Sequence, residues 1–308
     1  MDESIFNPSG SALMDDIFIN VIGIGGGGIN ALNYMAEQGL PEGATFAAVD
    51  TDMAALNKAK ADIKVHLSNT AAKNAAEEIL PVLKGCHMVF LLVGMGGETG
   101  TAAASVIAEA AQAMGILTTA VVTTPFAFEG KAHSAAAQKG IDLLLKKADS
   151  VIVIPNERLK LISEEKITIG EAFTASNELM YRGVKSVVNS VCATGYINLG
   201  FADFYPVFKG TGYAQIYTGS GIGANKAADA VKAAVSCPLA EKSLKKARAI
   251  FLNIETSPDI FMEDIESVIN QICEISRLEA CLIYGHSFND DLSDTMVLTV
   301  IASDFEEE

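Results

Sequence analysis

Two glycine-rich turns carry the residues best suited to chemistry. The first reads Gly23-Ile24-Gly25-Gly26-Gly27-Gly28-Ile29-Asn30 and contains a G-x-G-x-x-G match at Gly23, Gly25 and Gly28. The second reads Gly94-Met95-Gly96-Gly97-Glu98-Thr99-Gly100-Thr101-Ala102. Glycine lets the backbone approach an anion and turn its N–H groups toward it, and a helix N-terminus behind the turn adds a favourable dipole. Taken alone, the first turn is either a tight strand-to-helix connection or half of a dinucleotide site, with Asp50 and Asp52 about twenty residues on as ribose ligands. Two such turns are too many for one dinucleotide fingerprint and suit a polyphosphate gripped from two sides. No G-x-x-x-x-G-K-[ST] occurs, which excludes a P-loop NTPase. Neither turn holds a lysine, so backbone dipoles, the Thr99 and Thr101 hydroxyls and a metal ion must meet the charge.

The elements around these turns follow from periodicity. Apolar runs predict strands over 17–24, 45–49, 88–93, 116–123 and 151–154, and helical patterns fall over 30–38, 53–60, 71–83, 101–114 and 131–147. Strand–helix alternation with unbroken β-branched runs predicts a parallel sheet covered on both faces. Both glycine turns then lie at C-terminal ends of strands, where open α/β sheets place ligands. A long helix is predicted over 169–193. Strands over 209–218, 247–255, 280–284 and 296–303, with helices over 226–235 and 262–278, predict a smaller mixed α/β block. The expected organisation is a loose arm at 1–16, a nucleotide-binding domain at 17–167, a central helix at 168–195 and a C-terminal domain at 196–308.

Composition narrows the function classes. The 308 residues include 22 Lys+Arg and 38 Asp+Glu, a net charge of −16, with 50% hydrophobic residues. That hydrophobic fraction is too high for a disordered chain. The acidic balance argues against nucleic acid and against direct binding to anionic membrane, since both need clustered Lys/Arg. No apolar run approaches the roughly 18–20 residues of a membrane span. The five cysteines are scattered without C-x-x-C, and the four histidines lack zinc spacing. These features predict reduced thiols, a cytoplasmic setting and no protein-built metal site. The acidic start, Asp2 and Glu3, does not suit a signal peptide.

Several stretches together resemble the tubulin/FtsZ family. Gly94–Ala102 is similar to the tubulin signature G-G-G-T-G-[ST]-G, and Gly115–Gly130 resembles bacterial FtsZ almost word for word. Val21–Leu32 resembles the family's first phosphate loop, Ala48–Asp52 its A-V-[ND]-T-D segment and Val153–Leu159 its I-P-N-[DE]-[KR]-L. Gly212–Gly221 is similar to the G-x-A-x-x-G-x-G strand of its second domain. The resemblance covers residues 17 to 303. It implies a Rossmann-like GTP-binding domain, a long central helix, a mixed α/β C-terminal domain, GTP/GDP with Mg²⁺, and head-to-tail self-association into filaments. Carried over residue by residue, it places Gly25, Gly26 and Gly27 on the first phosphate loop. Gly96, Gly97, Thr99, Gly100 and Thr101 would hold the β/γ-phosphates, and Glu129 the ribose. Phe173 would stack on guanine, with Asn177 and Asn30 bonding its edge. Asn198 and Asp203 would act catalytically in the neighbouring subunit's site.

The chain departs from the family at four places. The loop pattern N-x-D-x-x-D here reads Asn198-Leu199-Gly200-Phe201-Ala202-Asp203, so the first carboxylate is Gly200. Losing one positioned acid/base group costs about 10²–10⁴-fold in rate. The Gly-rich γ-phosphate loop G-L-G-A-G-x-x-P is missing between Val65 and Ala75. Glu98 replaces a signature glycine, and His133 replaces a frequent arginine. All four lie at the γ-phosphate and the hydrolytic water. They imply slow hydrolysis, with the protein either forming filaments, alone or with a standard FtsZ, or serving as a regulatory paralogue that does not polymerise by itself. A nicotinamide-linked oxidoreductase leaves the second glycine turn unexplained and lacks a hydride-transfer set. The sequence stops at Asp304-Phe305-Glu306-Glu307-Glu308, short of the family's usual tether peptide, so membrane recruitment is expected to come through a partner.

Overall fold

The computed structural model describes residues 17–39, 43–68, 72–161, 167–192, 197, 199–276 and 281–306. The first half alternates strictly. It runs β1 Ile19–Ile24, α1 Gly25–Gln38, β2 Ala44–Asp50, α2 Met53–Lys58, β3 Ile63–His66, α3 Ala72–Leu83, β4 Met88–Gly94, α4 Glu98–Ala113, β5 Leu117–Thr124, α5 Lys131–Leu144 and β6 Ser150–Pro155. The helix α6, Ile169–Cys192, follows. The second half holds α7 Tyr205–Phe208, β7 Gly212–Ile222, α8 Lys226–Val235, β8 Ala247–Thr256, α9 Met262–Ile275, β9 Cys281–Phe288 and β10 Thr295–Phe305.

One ten-stranded sheet runs through the protein in the order β3-β2-β1-β4-β5-β6-β7-β10-β8-β9. The first six strands are parallel in the doubly wound order, which reverses between β1 and β4. Both glycine turns follow the two strands at that reversal. The period of two along each strand serves two cores. Met88, Phe90 and Leu92 of β4 join one with Ala31, Leu32 and Met35 of α1 and with Met180, Val184 and Val187 of α6. Val89, Leu91 and Val93 join the other with Ala103, Ile107 and Ala111 of α4 and with Ile141 of α5. All six β4 side chains are fully buried, and each such burial contributes about 1.5–3 kcal/mol.

The sheet crosses into the second half through three residue pairs only, Ser150–Ile152 with Gly212–Ala214. Beyond that neck, β7, β10 and β8 pair antiparallel, and β9 lies parallel to β8. The mixed block expected from the sequence is therefore present as an extension of the same sheet. Among the described residues, no helix is long and apolar enough to cross a membrane.

Three local details differ from the sequence reading. β3 was not expected: it is a four-residue, mostly exposed edge strand, and Lys64 at such an edge discourages further pairing. α1 begins at Gly25 rather than at Asn30, and α4 at Glu98 rather than at Thr101. The glycine turns are thus themselves the first turns of their helices. The expected arm at 1–16 and the end of the central helix beyond 192 lie outside the described residues.

Candidate functional site

α1 and α4 start without a side-chain cap, so the N–H groups of their first turns are available to an anion. The two turns press together. Gly25 has φ +68°, and a Cβ there would lie 3.0 Å from the Gly100 nitrogen. A Cβ on Gly27 would lie 2.9 Å from Gly94 Cα. Only glycine allows this approach, which brings two helix N-termini to one point. Across it, the Thr51 and Thr99 hydroxyls meet at 3.0 Å, tying the end of β2 to the first turn of α4. The Gly96 N–H donates to Thr101 Oγ1 at 3.0 Å, so that hydroxyl braces its own loop. Asp50, which is buried, accepts the Thr51 N–H at 2.7 Å and organises the turn after β2.

A cleft of about 220 Å³ opens beside these turns. Of the residues singled out in the sequence, Gly27, Asn30, Gly97, Glu129, Phe173 and Asn177 line it. Gly25, Gly26, Gly96, Thr99, Gly100 and Thr101 lie in the adjoining turns. Glu129 closes a short 3-10 turn, Ala127–Glu129, where its Oε1 accepts the Phe126 N–H at 2.8 Å. Its Oε2 lies 3.8 Å from His133 Nδ1, and His133 also lines the cleft. No lysine or arginine is among the lining residues. Glu98 is exposed in the first turn of α4 and is not among them either.

The far wall is the start of α6. Thr168 and Glu171 form a reciprocal cap: the Thr168 N–H donates to Glu171 Oε2 at 2.7 Å and the Glu171 N–H to Thr168 Oγ1 at 3.2 Å. The Thr168 N–H and the Thr168 hydroxyl, both donating to Glu171 Oε2, hold that carboxyl below the usual carboxylate range. Phe173 stays 41% exposed and packs edge-on against Phe126 at 5.3 Å, which leaves ring area free for stacking. Asn156 and Ser176 are among the lining residues missed in the sequence. Both are buried, and the Ser176 hydroxyl donates to Asn156 Oδ1 at 2.8 Å. Asn156 directly follows β6, and that strand-end position was the available signal.

The hydrolytic candidates lie elsewhere. Asn198 is outside the described residues. Asp203 is exposed in a 3-10 turn, Phe201–Phe204, beyond the C-terminal end of α6. α6 has 24 residues and so spans about 36 Å. Phe173 and Asn177 mark one end of it, and Asp203 follows the other, so the structure does not bring the two sets together within one molecule. Where the family's γ-phosphate loop would stand, the Ser68 hydroxyl donates to Glu78 Oε1 at 2.8 Å and ties the end of β3 to α3.

A doubly wound half, paired glycine-rich turns at helix starts and a long helix leading to a mixed sheet define a class, and the comparisons with known proteins agree. The model of the tubulin/FtsZ family GTPase domain matches residues 66–164, and that of the FtsZ family C-terminal domain matches residues 212–306. The chain belongs to the tubulin/FtsZ family of GTP-binding cytoskeletal proteins. It is 38% identical over 302 residues to the cell division protein FtsZ 2 of Rhizobium meliloti (strain 1021), covering 92% of this chain and 87% of that one. A variant of FtsZ from M. jannaschii superposes with a TM-score of 0.89 at 31% identity, covering 94% and 92% of the two chains. An empty FtsZ dimer from M. jannaschii gives 0.87 at 31% identity, covering 94% and 88%.

Proposed function

We propose that this protein binds GTP and GDP in the cleft beside α1 and α4, assembles head to tail, acts in or modulates cell division in the cytoplasm, and hydrolyses GTP slowly. Residues 17–167 form the nucleotide-binding domain, 168–195 the central helix and 196–308 the assembly domain. The observation that carries the reading is the separation of the two sets of residues. A cleft suited to a guanine nucleotide lies at one end of α6 and the Asp203 loop lies at the other. A site completed by a second copy stacked along α6 accounts for both. Such a contact repeats rather than closing, and the M. jannaschii dimer supports self-association.

Within the cleft, Gly25, Gly26, Gly27, Gly96, Gly97 and Gly100 would present backbone to the phosphates, with Thr99 and Thr101 beside them. Glu129 has Oε2 left to accept from a ribose hydroxyl. Phe173 offers a ring face to the base, with Asn30 and Asn177 at its edge. Among the described residues no group of three His, Cys, Asp or Glu could hold a metal, so Mg²⁺ would ride chiefly on the phosphates and water. Asn198 and Asp203 of one copy would orient the attacking water over the neighbour's γ-phosphate. Gly200 supplies no carboxylate to that step, and the short β3–α3 connection supplies no γ-phosphate loop. Both support slow turnover.

The test is sedimentation and light scattering with GTP, GDP and a non-hydrolysable GTP analogue, with phosphate release in parallel. Assembly with slow release is the expected result. Nucleotide binding without assembly under any salt or Mg²⁺ condition would instead identify a regulatory paralogue, for which a standard FtsZ is the partner to try. Preference for NAD over GTP would sink both readings.

A further inference from the structure

We propose that His87 positions the hydrolytic loop through a ladder of four rings, Phe18, His87, Phe201 and Tyr205. This rests on the reading of residues 198–203 as the loop that serves a neighbouring copy.

His87 precedes β4 at the end of the sheet from which β1 and β5 also start. Its ring is pinned to the chain entering β1. The Phe18 N–H donates to His87 Nδ1 at 3.1 Å, and the His87 N–H donates back to the Phe18 carbonyl at 2.9 Å. The Leu117 N–H donates to the His87 carbonyl at 3.0 Å, which ties the same residue to the start of β5. With both sides of its backbone and one ring nitrogen held, the imidazole has little freedom to turn.

Rings pack on both sides of it. Phe18 stacks at 6.0 Å with planes 13° apart. Phe201 meets His87 edge-on at 6.1 Å and 69°, and Tyr205 meets Phe201 at 5.4 Å and 83°. These separations and tilts are the favourable ones for aromatic pairs. Phe18 and Tyr205 remain 56% and 38% exposed, so the ladder is a surface structure laid against the sheet.

Phe201 opens the turn that contains Asp203, and Phe204 closes it. Phe204 is fully buried beside Phe208 and Phe251. The turn therefore has two ring anchors, one in the core and one on His87, and Asp203 lies between them. Removing the His87 anchor leaves Phe201 only its partial packing on the core and its edge contact with Tyr205, which loosens the Asp203 turn on that side. Misplacing a reacting group by about 1 Å can cost about 10²-fold in rate. His87 bears on Asp203 only through the Phe201 ring, which makes it a positioning residue.

Three variants of the full chain separate the ladder from general stability. His87→Phe keeps a ring and loses the nitrogen acceptor, His87→Asn keeps an acceptor without a ring, and His87→Ala removes both. The first readout is hydrogen exchange at backbone amides of 199–205 in unassembled protein. The second is GTP turnover of assembled protein, split into kcat and nucleotide affinity. H87A and H87N are expected to raise exchange at 199–205 and to lower kcat by about tenfold, with GTP affinity unchanged because the cleft lies at the other end of α6. H87F is expected to restore most of both. Wild-type exchange in H87A, or an H87F variant as impaired as H87A, overturns the ladder. Altered exchange with unchanged kcat overturns its role in hydrolysis. A wild-type protein that assembles without any turnover sinks the GTPase reading instead, and the exchange arm still decides whether the ladder holds the loop.

Discussion

The backbone N–H of Gly200 donates to the Asp203 carboxylate at 2.8 Å, and the Asp203 N–H donates to the Gly200 carbonyl at 2.9 Å. The pair closes the Phe201–Phe204 turn on itself. A Cβ at position 200 would lie 3.3 Å from Asp203 Oδ2, so a side chain fits there with a small adjustment. Asp is also a favoured residue at the start of a helical turn. Gly200→Asp is therefore expected to fold and to raise phosphate release from assembled protein by about 10²-fold, without changing nucleotide affinity. Unchanged turnover would assign the dominant defect to the missing loop between β3 and α3.

Phe173→Ala removes the ring face at the mouth of the cleft. Stacking of a base on an aromatic ring is worth about 1–3 kcal/mol, so guanine-nucleotide affinity is expected to weaken by about 5- to 150-fold. Asn177→Ala is expected to narrow the preference for GTP over ATP. Titration with fluorescent nucleotides reads both, and affinity as tight as wild type in F173A would move the base elsewhere.

His133→Arg places a permanent cation in a cleft whose lining holds no other lysine or arginine. A hydrogen bond to a charged group contributes about 1.5–3 kcal/mol. GTP affinity is expected to rise about tenfold or more, with GDP gaining less. Equal gains for the two nucleotides would show that position 133 does not reach the γ-phosphate.

Burial pushes the His286 imidazole below histidine's ordinary range, and its Nε2 lies 2.8 Å from Thr256 Oγ1. The unfolded chain takes up the proton more readily than the folded one. Stability from this group is thus present above the unfolded pKa of about 6.5 and is lost as pH falls, by up to about 1.4 kcal/mol per pH unit. Thermal melts between pH 7.5 and 5.5 should show this fall, and His286→Asn should flatten it. A slope unaffected by the substitution would assign the loss to other groups.

The net charge of −16 opposes stacking of like chains, and salt screens surface charge within about 8–10 Å at physiological strength. Assembly is expected to strengthen from low to physiological salt and with divalent cations. Light scattering that falls with salt would point to complementary charges at the contact.

Much of the fold was legible in the sequence because parallel strands buried on both faces leave unbroken apolar runs, as in Met88–Val93 and Val151–Ile154. β3 was not legible: four residues on a half-exposed edge carry too few side chains to show a period. The starts of α1 and α4 were misjudged because glycine has poor intrinsic helix propensity, whereas here the close contact of Gly27 with Gly94 overrides it. In the site, Asn30, Glu129, Phe173 and Asn177 were assigned through the family resemblance. Asn156 and Ser176 meet through folding alone, twenty residues apart and without a shared motif, so only the coordinates reveal their bond. The link from His87 to Phe201 spans still more sequence, and neither residue type announces it.

The length of α6 has a kinetic consequence on the proposed reading. A molecule whose cleft and loop lie toward opposite ends of one continuous helix, about 28 Å from Phe173 to its last residue, cannot fold back to attack its own nucleotide. Turnover then counts neighbours rather than molecules. Its specific rate must vanish on dilution, and the last subunit at the open-cleft end of every chain keeps its triphosphate. The two ends of an assembly are chemically distinct from the moment the second copy joins.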